Sequence, residues 1–365
     1  MIVLADQPKP THGMSIANES IIKLMNSADF KIDVINTAPS YAANYFGKPS
    51  WTVIKAFHFI YVLMKLFYKL IFTNSSLVYR SLNGGFGQIY DLAYLLLLRV
   101  FNKQIVIHHH SFNYINNKSF IFSFICALIG RNGRHIVLSE SMKLQMAVLY
   151  SLDVNDIYVI KNLAFFSIKY DFELRNKEQV LRIGHLANLS FEKGVKDYLE
   201  ISSFLSNYIA TATTLAGPCS TSEVEMYVKN AIDTSRGINY LGPVYNESKH
   251  KFYSNLDVFI FPSKYVNEAE PLVIYEAAQY GAFVIGTQRG CMAEQISSLN
   301  GYSYPEITDN IFVAEKILEL ANSGQFSSEN RSKRIQLFKE CQEQATNSLN
   351  ILLNYFKDGY VPKIK

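Results

Sequence analysis

Residues 258–281 read VFIFPSKYVNEAEPLVIYEAAQYG. Four apolar residues lead into Pro262-Ser263, then a loop, then Pro271 and an apolar run at helical spacing that stops at Gly281. A strand that passes through a loop into a helix is the repeating unit of a parallel α/β sheet. Pro271 suits a first helical turn. The backbone N–H groups across Glu270–Val273, those of Glu270, Leu272 and Val273 since Pro271 has none, are then expected to face a diphosphate, because the first N–H groups of a helix have no partner within it. Glu268, in the loop, is placed to meet sugar hydroxyls. Glu276, about one turn into the helix, can accept hydrogen bonds from a ribose. The spacing alone favours a plainer reading, in which the acids complement the helix dipole and Glu276 is solvated.

The same alternation extends outward in both directions. Short apolar runs at 2–5, 32–35, 77–80, 104–108 and 135–138 are expected strands, followed after a break by 181–185, 213–216, 238–241, 258–261 and 283–286. Helical spacing fills 15–27, 90–101, 196–206 and 271–280, and residues 331–356 read as one or two further helices. The chain of 365 residues exceeds one core. The expected fold is α/β, with two doubly wound domains whose parallel sheets face a cleft. The domains are expected at 1–165 and 180–340, joined by a connection at 166–179, with a C-terminal helix at 341–365 packing back toward the first domain.

Composition narrows the class. The four cysteines form no CxxC pair, which argues against a disulfide framework or a zinc site and for a reducing compartment. The N-terminus lacks the form of a signal peptide and reads as a strand. Residues 1–165 hold 15 Lys/Arg against 8 Asp/Glu, a balance of +7, while the remainder balances at −3. That excess is diffuse and carries no nucleic-acid motif, so nucleic acid is not an expected partner. Residues 55–72, KAFHFIYVLMKLFYKLIF, hold Lys55, His58, Lys65 and Lys69 within roughly an 80° arc of a helix. This is an amphipathic helix rather than a spanning one. It reads either as a core helix with a thin solvated stripe or as a surface helix resting on anionic lipid.

The segment 241–296 resembles the retaining, GT-B-fold glycosyltransferases of family 4, of the bacterial surface-polysaccharide type. The residues that carry the likeness are Pro262-Ser263, Glu268–x7–Glu276, Gly281, the strand at 283–286 and Gly290. The resemblance implies that Glu276 binds the donor ribose, that Glu268 contacts the transferred sugar, and that the amides between them hold sugar and diphosphate.

Other positions extend the resemblance. Gly13, in PKPTHGMS, looks like the family's first glycine loop; a glycine there also serves a turn. The stretch VYRSLNGGFGQIYD, residues 78–91, resembles a loop on the acceptor side, with Gly85 and Gly87 as candidates. The family often has Arg before the Asp, where this chain has Tyr90. His108-His109-His110 ends a strand; adjacent residues point to opposite faces, which argues against a metal site. His110, with His108 as the alternative, matches the family histidine that contacts the donor sugar. In LANLSFEKG, residues 186–194, Lys193 matches the lysine that neutralises the diphosphate. Asn188 stands where the family has Arg, and Arg289 is a candidate replacement.

The expected reaction is transfer from a UDP- or GDP-sugar to a glycan or lipid-linked glycan in surface polysaccharide synthesis. His110, Glu268 and Lys193 carry it, with no metal and no cofactor. The expected location is the cytoplasm, at the inner membrane face if the membrane contact holds. The alternatives are an epimerase of the same fold, using His110 and Glu268 as acid and base, and a non-catalytic sugar-nucleotide-binding subunit of an assembly complex.

Overall fold

The computed structural model describes residues 1–10, 13–28, 30–130, 133–166, 180–234 and 237–364. The chain divides into two compact units, one made of Met1–Phe166 with Gln344–Lys365 and the other of Ser167–Glu343. Of the expected connection at 166–179, residues 167–179 lie outside the described residues.

The first unit is a parallel six-stranded sheet. Its strands are β1 (Ile2–Ala5), β2 (Asp33–Asn36), β3 (Leu77–Leu82), β4 (Gln104–His109), β5 (Gly133–Val137) and β6 (Ile157–Val159), in the order β2-β1-β3-β4-β5-β6. The helices between them are α1 (Gly13–Ser27), α2 (Pro49–Phe72), α3 (Gln88–Val100), α4 (Asn113–Asn116), α5 (Phe120–Ile129) and α6 (Glu140–Tyr150). β1 and β3 are buried along their whole length. That is why β1 reads as an unbroken apolar run and β3 shows no alternation, its apolar residues being interrupted only by Arg80 and Ser81. Ser119 and Ser139 cap α5 and α6 by accepting from the Phe122 and Met142 amides. From β2 to β5 the strands advance one way across the sheet, so right-handed crossovers place α2, α3 and α5 on one face. α2 packs on α3, and α3 on α5.

α2 corrects the expectation of a solvated lysine stripe. His58 is buried with Nε2 3.1 Å from the Asn36 carbonyl, Lys69 reaches Asp33 at 2.6 Å, and Lys55 Nζ lies 5.7 Å from the centre of the Tyr90 ring. Lys55, His58 and Lys69 turn inward because β2 and α3 offer them partners.

The second unit is also a parallel six-stranded sheet. Its strands are β7 (Leu181–Leu186), β8 (Thr211–Ala216), β9 (Ile238–Tyr240), β10 (Val258–Phe261), β11 (Phe283–Thr287) and β12 (Tyr302–Tyr304), in the order β12-β11-β10-β7-β8-β9. Its helices are α7 (Val195–Ser206), α8 (Ser222–Thr234), α9 (Asn246–Ser254), α10 (Leu272–Ala278), α11 (Met292–Ser298) and α12 (Asn310–Asn322). One long helix, α13 (Ser328–Lys357), then runs from the second unit's share of the chain into the first unit's. In the second unit Arg331 and Arg334 donate to the Leu256 and Gly281 carbonyls. In the first unit Phe356 meets Tyr79, and Val361 exchanges two 2.8 Å hydrogen bonds with the Gln104 side chain.

Each strand order reverses once, between β1 and β3 in the first unit and between β7 and β10 in the second. At such a switch point the loops leaving the strand ends diverge and open a crevice, which is where ligands bind in open α/β sheets.

Candidate functional site

In the second unit the loops after β7 and β10 meet at the switch point. They are pressed together by glycines. Gly194 has φ +83, and a Cβ there would lie 2.3 Å from the Pro262 carbonyl oxygen. Gly290 has φ +57, and its Cβ would lie 2.2 Å from the Glu268 carbonyl oxygen. Neither position admits a side chain without moving backbone. Further bonds pin the loop after β10. Thr287 donates to the Ser263 carbonyl at 2.5 Å, the Cys291 amide to Ala269 at 2.9 Å and Gln295 to Pro271 at 3.0 Å.

This packing brings Lys193 to Glu268, 75 residues apart, with Nζ 2.5 Å from Oε2. Ser263, itself buried, donates to the same oxygen at 2.9 Å. Lys193 Nζ also lies 4.5 Å from the centre of the Tyr265 ring. Lys193 and Glu268 therefore stand together, partly open to solvent, with 23% and 10% of their side chains exposed.

Glu276 belongs to a different set of contacts. Both its carboxylate oxygens are engaged from α9, Oε1 by Lys249 at 2.6 Å and Oε2 by the Tyr253 hydroxyl at 2.8 Å. Burial, and then the Glu276 charge, hold the Tyr253 hydroxyl well above the usual phenol range, so it stays a donor. Lys249 and Tyr253 were missed from sequence; their signal is an i, i+4 spacing that puts them on one helix face. Glu270 turns its buried carboxylate to Tyr275, which donates to it at 2.5 Å. Pro271 is the residue preceding α10 rather than a member of its first turn, and Leu272 begins the helix.

Asn188 is exposed in the loop after β7. Arg289 is paired with Glu306. His185, buried in β7, donates from Nδ1 to the Ile260 carbonyl at 2.9 Å, and burial lowers its pKa to about 4. It joins the two switch-point strands as a neutral ring.

In the first unit His110 lies just beyond β4, its ring 4.0 Å from that of His108. The expected alternation therefore does place these two on one side. His108 meets the Tyr79 hydroxyl at 2.6 Å. His109 points the other way, to Tyr114 at 2.7 Å and His135 at 3.0 Å. Burial holds His108 and His109 well below the usual histidine range. No group of three or more His, Cys, Asp or Glu among the described residues is placed to hold a metal ion.

Gly85 and Gly87 form a single 3-10 turn after β3. Gly87 is forced, since a Cβ there would fall 2.8 Å from the Asn83 Cβ. Gly85 has φ +57 with open space around it. Asp91 is not on the surface of this loop. It is fully buried against Arg80 and accepts the Asn83 amide at 2.9 Å. Arg80 in turn donates to Thr37 and to the Leu4 carbonyl, tying together the ends of three strands. Gly13 opens α1 with nothing within 4 Å of a Cβ, and its neighbours Thr11 and His12 lie outside the described residues.

Residues 167–336 match the family model of glycosyl transferases group 1. No curated protein matches the chain in sequence. Several solved structures match its fold over nearly the whole length. HepE of Anabaena in complex with UDP-glucose is 15% identical, with 96% of this chain and 99% of that one covered at a TM-score of 0.65. Sucrose-phosphate synthase from Thermosynechococcus elongatus is 14% identical, with 98% of each chain covered at 0.73. The lipopolysaccharide outer core galactosyltransferase WaaB, in its apo form, is 15% identical, with 98% and 99% covered at 0.66. The chain has the GT-B fold, and its second unit matches the group 1 glycosyl transferase model over residues 167–336.

Proposed function

We propose that this chain is a retaining glycosyltransferase that moves a sugar from a UDP- or GDP-sugar to a hydroxyl of a glycan or lipid-linked glycan in surface polysaccharide assembly. The observation that carries the reading is the Lys193–Glu268–Ser263 constellation at the switch point of the group 1 domain. HepE, bound to UDP-glucose, and WaaB, a galactosyltransferase, are neighbours of the same fold and support it.

The roles follow from charge. Breaking the bond between the sugar C1 and the diphosphate leaves negative charge on the phosphate oxygen. Lys193 is the group that stabilises it, which lowers the barrier without a metal. Glu268 holds the lysine in place before the donor arrives and meets a hydroxyl of the transferred sugar afterwards. Glu276, oriented by Lys249 and Tyr253, receives the ribose hydroxyls. The acceptor oxygen bonds to C1 on the face the diphosphate leaves, and a departing phosphate oxygen takes the acceptor proton. His110 is assigned to the donor sugar and Gly13 to backbone contact with the donor, while Gly85 and Gly87 are assigned to the acceptor side.

A second reading, a non-catalytic sugar-nucleotide-binding subunit, is favoured by one observation. Asn188 is neutral, and its candidate substitute Arg289 is held by Glu306. A thermal-shift screen against UDP-, GDP-, ADP- and dTDP-sugars identifies the donor, because a ligand of the native state raises its stability. Acceptor-dependent release of the nucleoside diphosphate then separates transfer from binding alone and from epimerisation. Donor binding with no release under any acceptor supports the second reading and removes the first.

A further inference from the structure

α2 is amphipathic in an inverted sense. None of its lysines is fully exposed, His58 is buried, and its solvent side is largely apolar. Thirteen of its 24 residues are exposed, and none of them carries a charge. Phe57, Ile60, Met64, Phe67, Tyr68 and Phe72 are among them, Phe57 at 70% and Phe72 at 68% exposure. At about 100° per residue these residues span roughly a 140° arc, opposite the buried Val62, Leu66 and Leu70. The apolar face is about 36 Å long. It continues onto the neighbouring helices of the same layer, through the exposed Ile89, Leu96 and Val100 of α3 and Phe120 and Phe124 of α5. Continuous apolar surface on this scale marks an interaction site.

Charge says what kind. Residues 34–139 contain ten Lys/Arg and one Asp/Glu. That one acid is Asp91, which is wholly buried against Arg80. The described surface of this stretch therefore carries formal charge of one sign only, with Lys48, Arg99 and Lys118 exposed around the apolar face. A second copy of the chain would set like charge against like. A bilayer with anionic headgroups satisfies both features, because its hydrocarbon takes the aromatic and aliphatic side chains while its phosphates meet the flanking cations. No described helix is long and apolar enough to cross a membrane.

We infer that the outer face of α2, continued by α3 and α5, is a docking surface for a bilayer containing anionic lipid, on which α2 lies in the plane of the interface. The inference stands apart from the transfer reaction, since binding is read without any donor.

The test is vesicle flotation of the full chain, with phosphatidylcholine alone and with phosphatidylcholine containing phosphatidylglycerol. Wild-type protein floats with the anionic vesicles at least several-fold better than with the neutral ones. The triple variant Phe57→Ser, Met64→Ser, Phe72→Ser loses at least tenfold in partition while keeping the wild-type melting temperature and donor thermal shift. If that variant melts early, the pair Ile60→Ser, Phe67→Ser gives the same reading. The variant Lys48→Gln, Arg99→Gln, Lys118→Gln loses the preference for anionic vesicles. Absence of flotation with either vesicle overturns the inference, and so does undiminished flotation of the apolar variants. A dimer that the triple variant splits, with no vesicle binding, also overturns it and assigns the face to a second copy of the chain.

Discussion

Two ion pairs stand at the two switch points, and they have opposite characters. In the first unit Arg80 and Asp91 are sealed, with no exposure on either side chain. Their hydrogen bonds go to the protein, to Asn83, Thr37 and the Leu4 carbonyl. In the second unit Lys193 and Glu268 are left partly open. The topology that creates a crevice is the same in both. What differs is whether the charges are already fully partnered. A buried, saturated pair has nothing left for a ligand and serves to hold strand ends together. A half-open pair can exchange a partner, which is what a binding site requires.

Breaking the sealed pair has the largest expected effect. Arg80→Met leaves Asp91 buried without its counter-charge and should cost about 3–5 kcal/mol of stability in denaturant titration. The double change Arg80→Met with Asp91→Leu should recover much of that loss. A single variant as stable as wild type would show that the pair anchors nothing. Lys193→Ala probes the other side of the comparison. Glu268 is buried but keeps the Ser263 hydroxyl as a donor, so the stability cost should be about 1–3 kcal/mol, below that of the sealed pair. Transfer should fall on the order of 10²–10³-fold, since a cation on the leaving group acts in the transition state. If stability collapses along with activity, the contrast between the two pairs is lost.

The architecture was readable where chemistry is local. β10 and α10 are bracketed by Pro262, Pro271 and Gly281, and their limits fall within two residues of those expected from sequence. β6, β9 and β12 each have three residues at a sheet edge, too short for a period, and of these only β9 was read as a strand. α2 shows the limit of periodicity. The arc of its lysines can be computed, but which side faces in depends on Asp33 and Asn36, remote in sequence. The Lys193–Glu268 contact is likewise made by backbone packing at Gly194 and Gly290 rather than by any spacing. Arg80 did leave a trace, as a lone charge in an otherwise apolar strand.

Acid should separate the two units. In the first unit burial lowers His108 and His109 well below the usual range and His135 to about 4. In the second, His185 is lowered to about 4. A lowered histidine binds its proton more readily unfolded than folded. Its contribution is therefore complete above about pH 6.5 and is lost as pH falls toward the folded value, roughly 2 kcal/mol by pH 4.5 for a histidine lowered to about 4, as His135 and His185 are. Asp91, raised by burial against the opposing Arg80 charge, offsets part of this in the first unit. Hydrogen exchange at pH 7 and pH 5 should show protection falling further in the first unit's sheet than in the second's. An equal response would mean that the histidine cluster is not the source of acid sensitivity.

The smallest effect sharpens the roles within the open site. Tyr253 donates to one oxygen of Glu276 while Lys249 holds the other. Tyr253→Phe removes a hydroxyl and little volume, and the remaining ion pair keeps the carboxylate charged but free to rotate. A hydrogen bond to a charged carboxylate is worth about 1.5–3 kcal/mol, of which about 1 kcal/mol should appear in ribose binding because Lys249 still holds Glu276. That corresponds to a rise of about fivefold in donor KM, with kcat nearly unchanged, because the ribose is held equally in the ground and transition states. Lys193→Ala should give the reverse pattern, a fall in kcat with less change in KM. If Tyr253→Phe lowers kcat instead, the Glu276 carboxylate takes part in the chemical step and the division between a binding carboxylate and a charge-stabilising lysine fails.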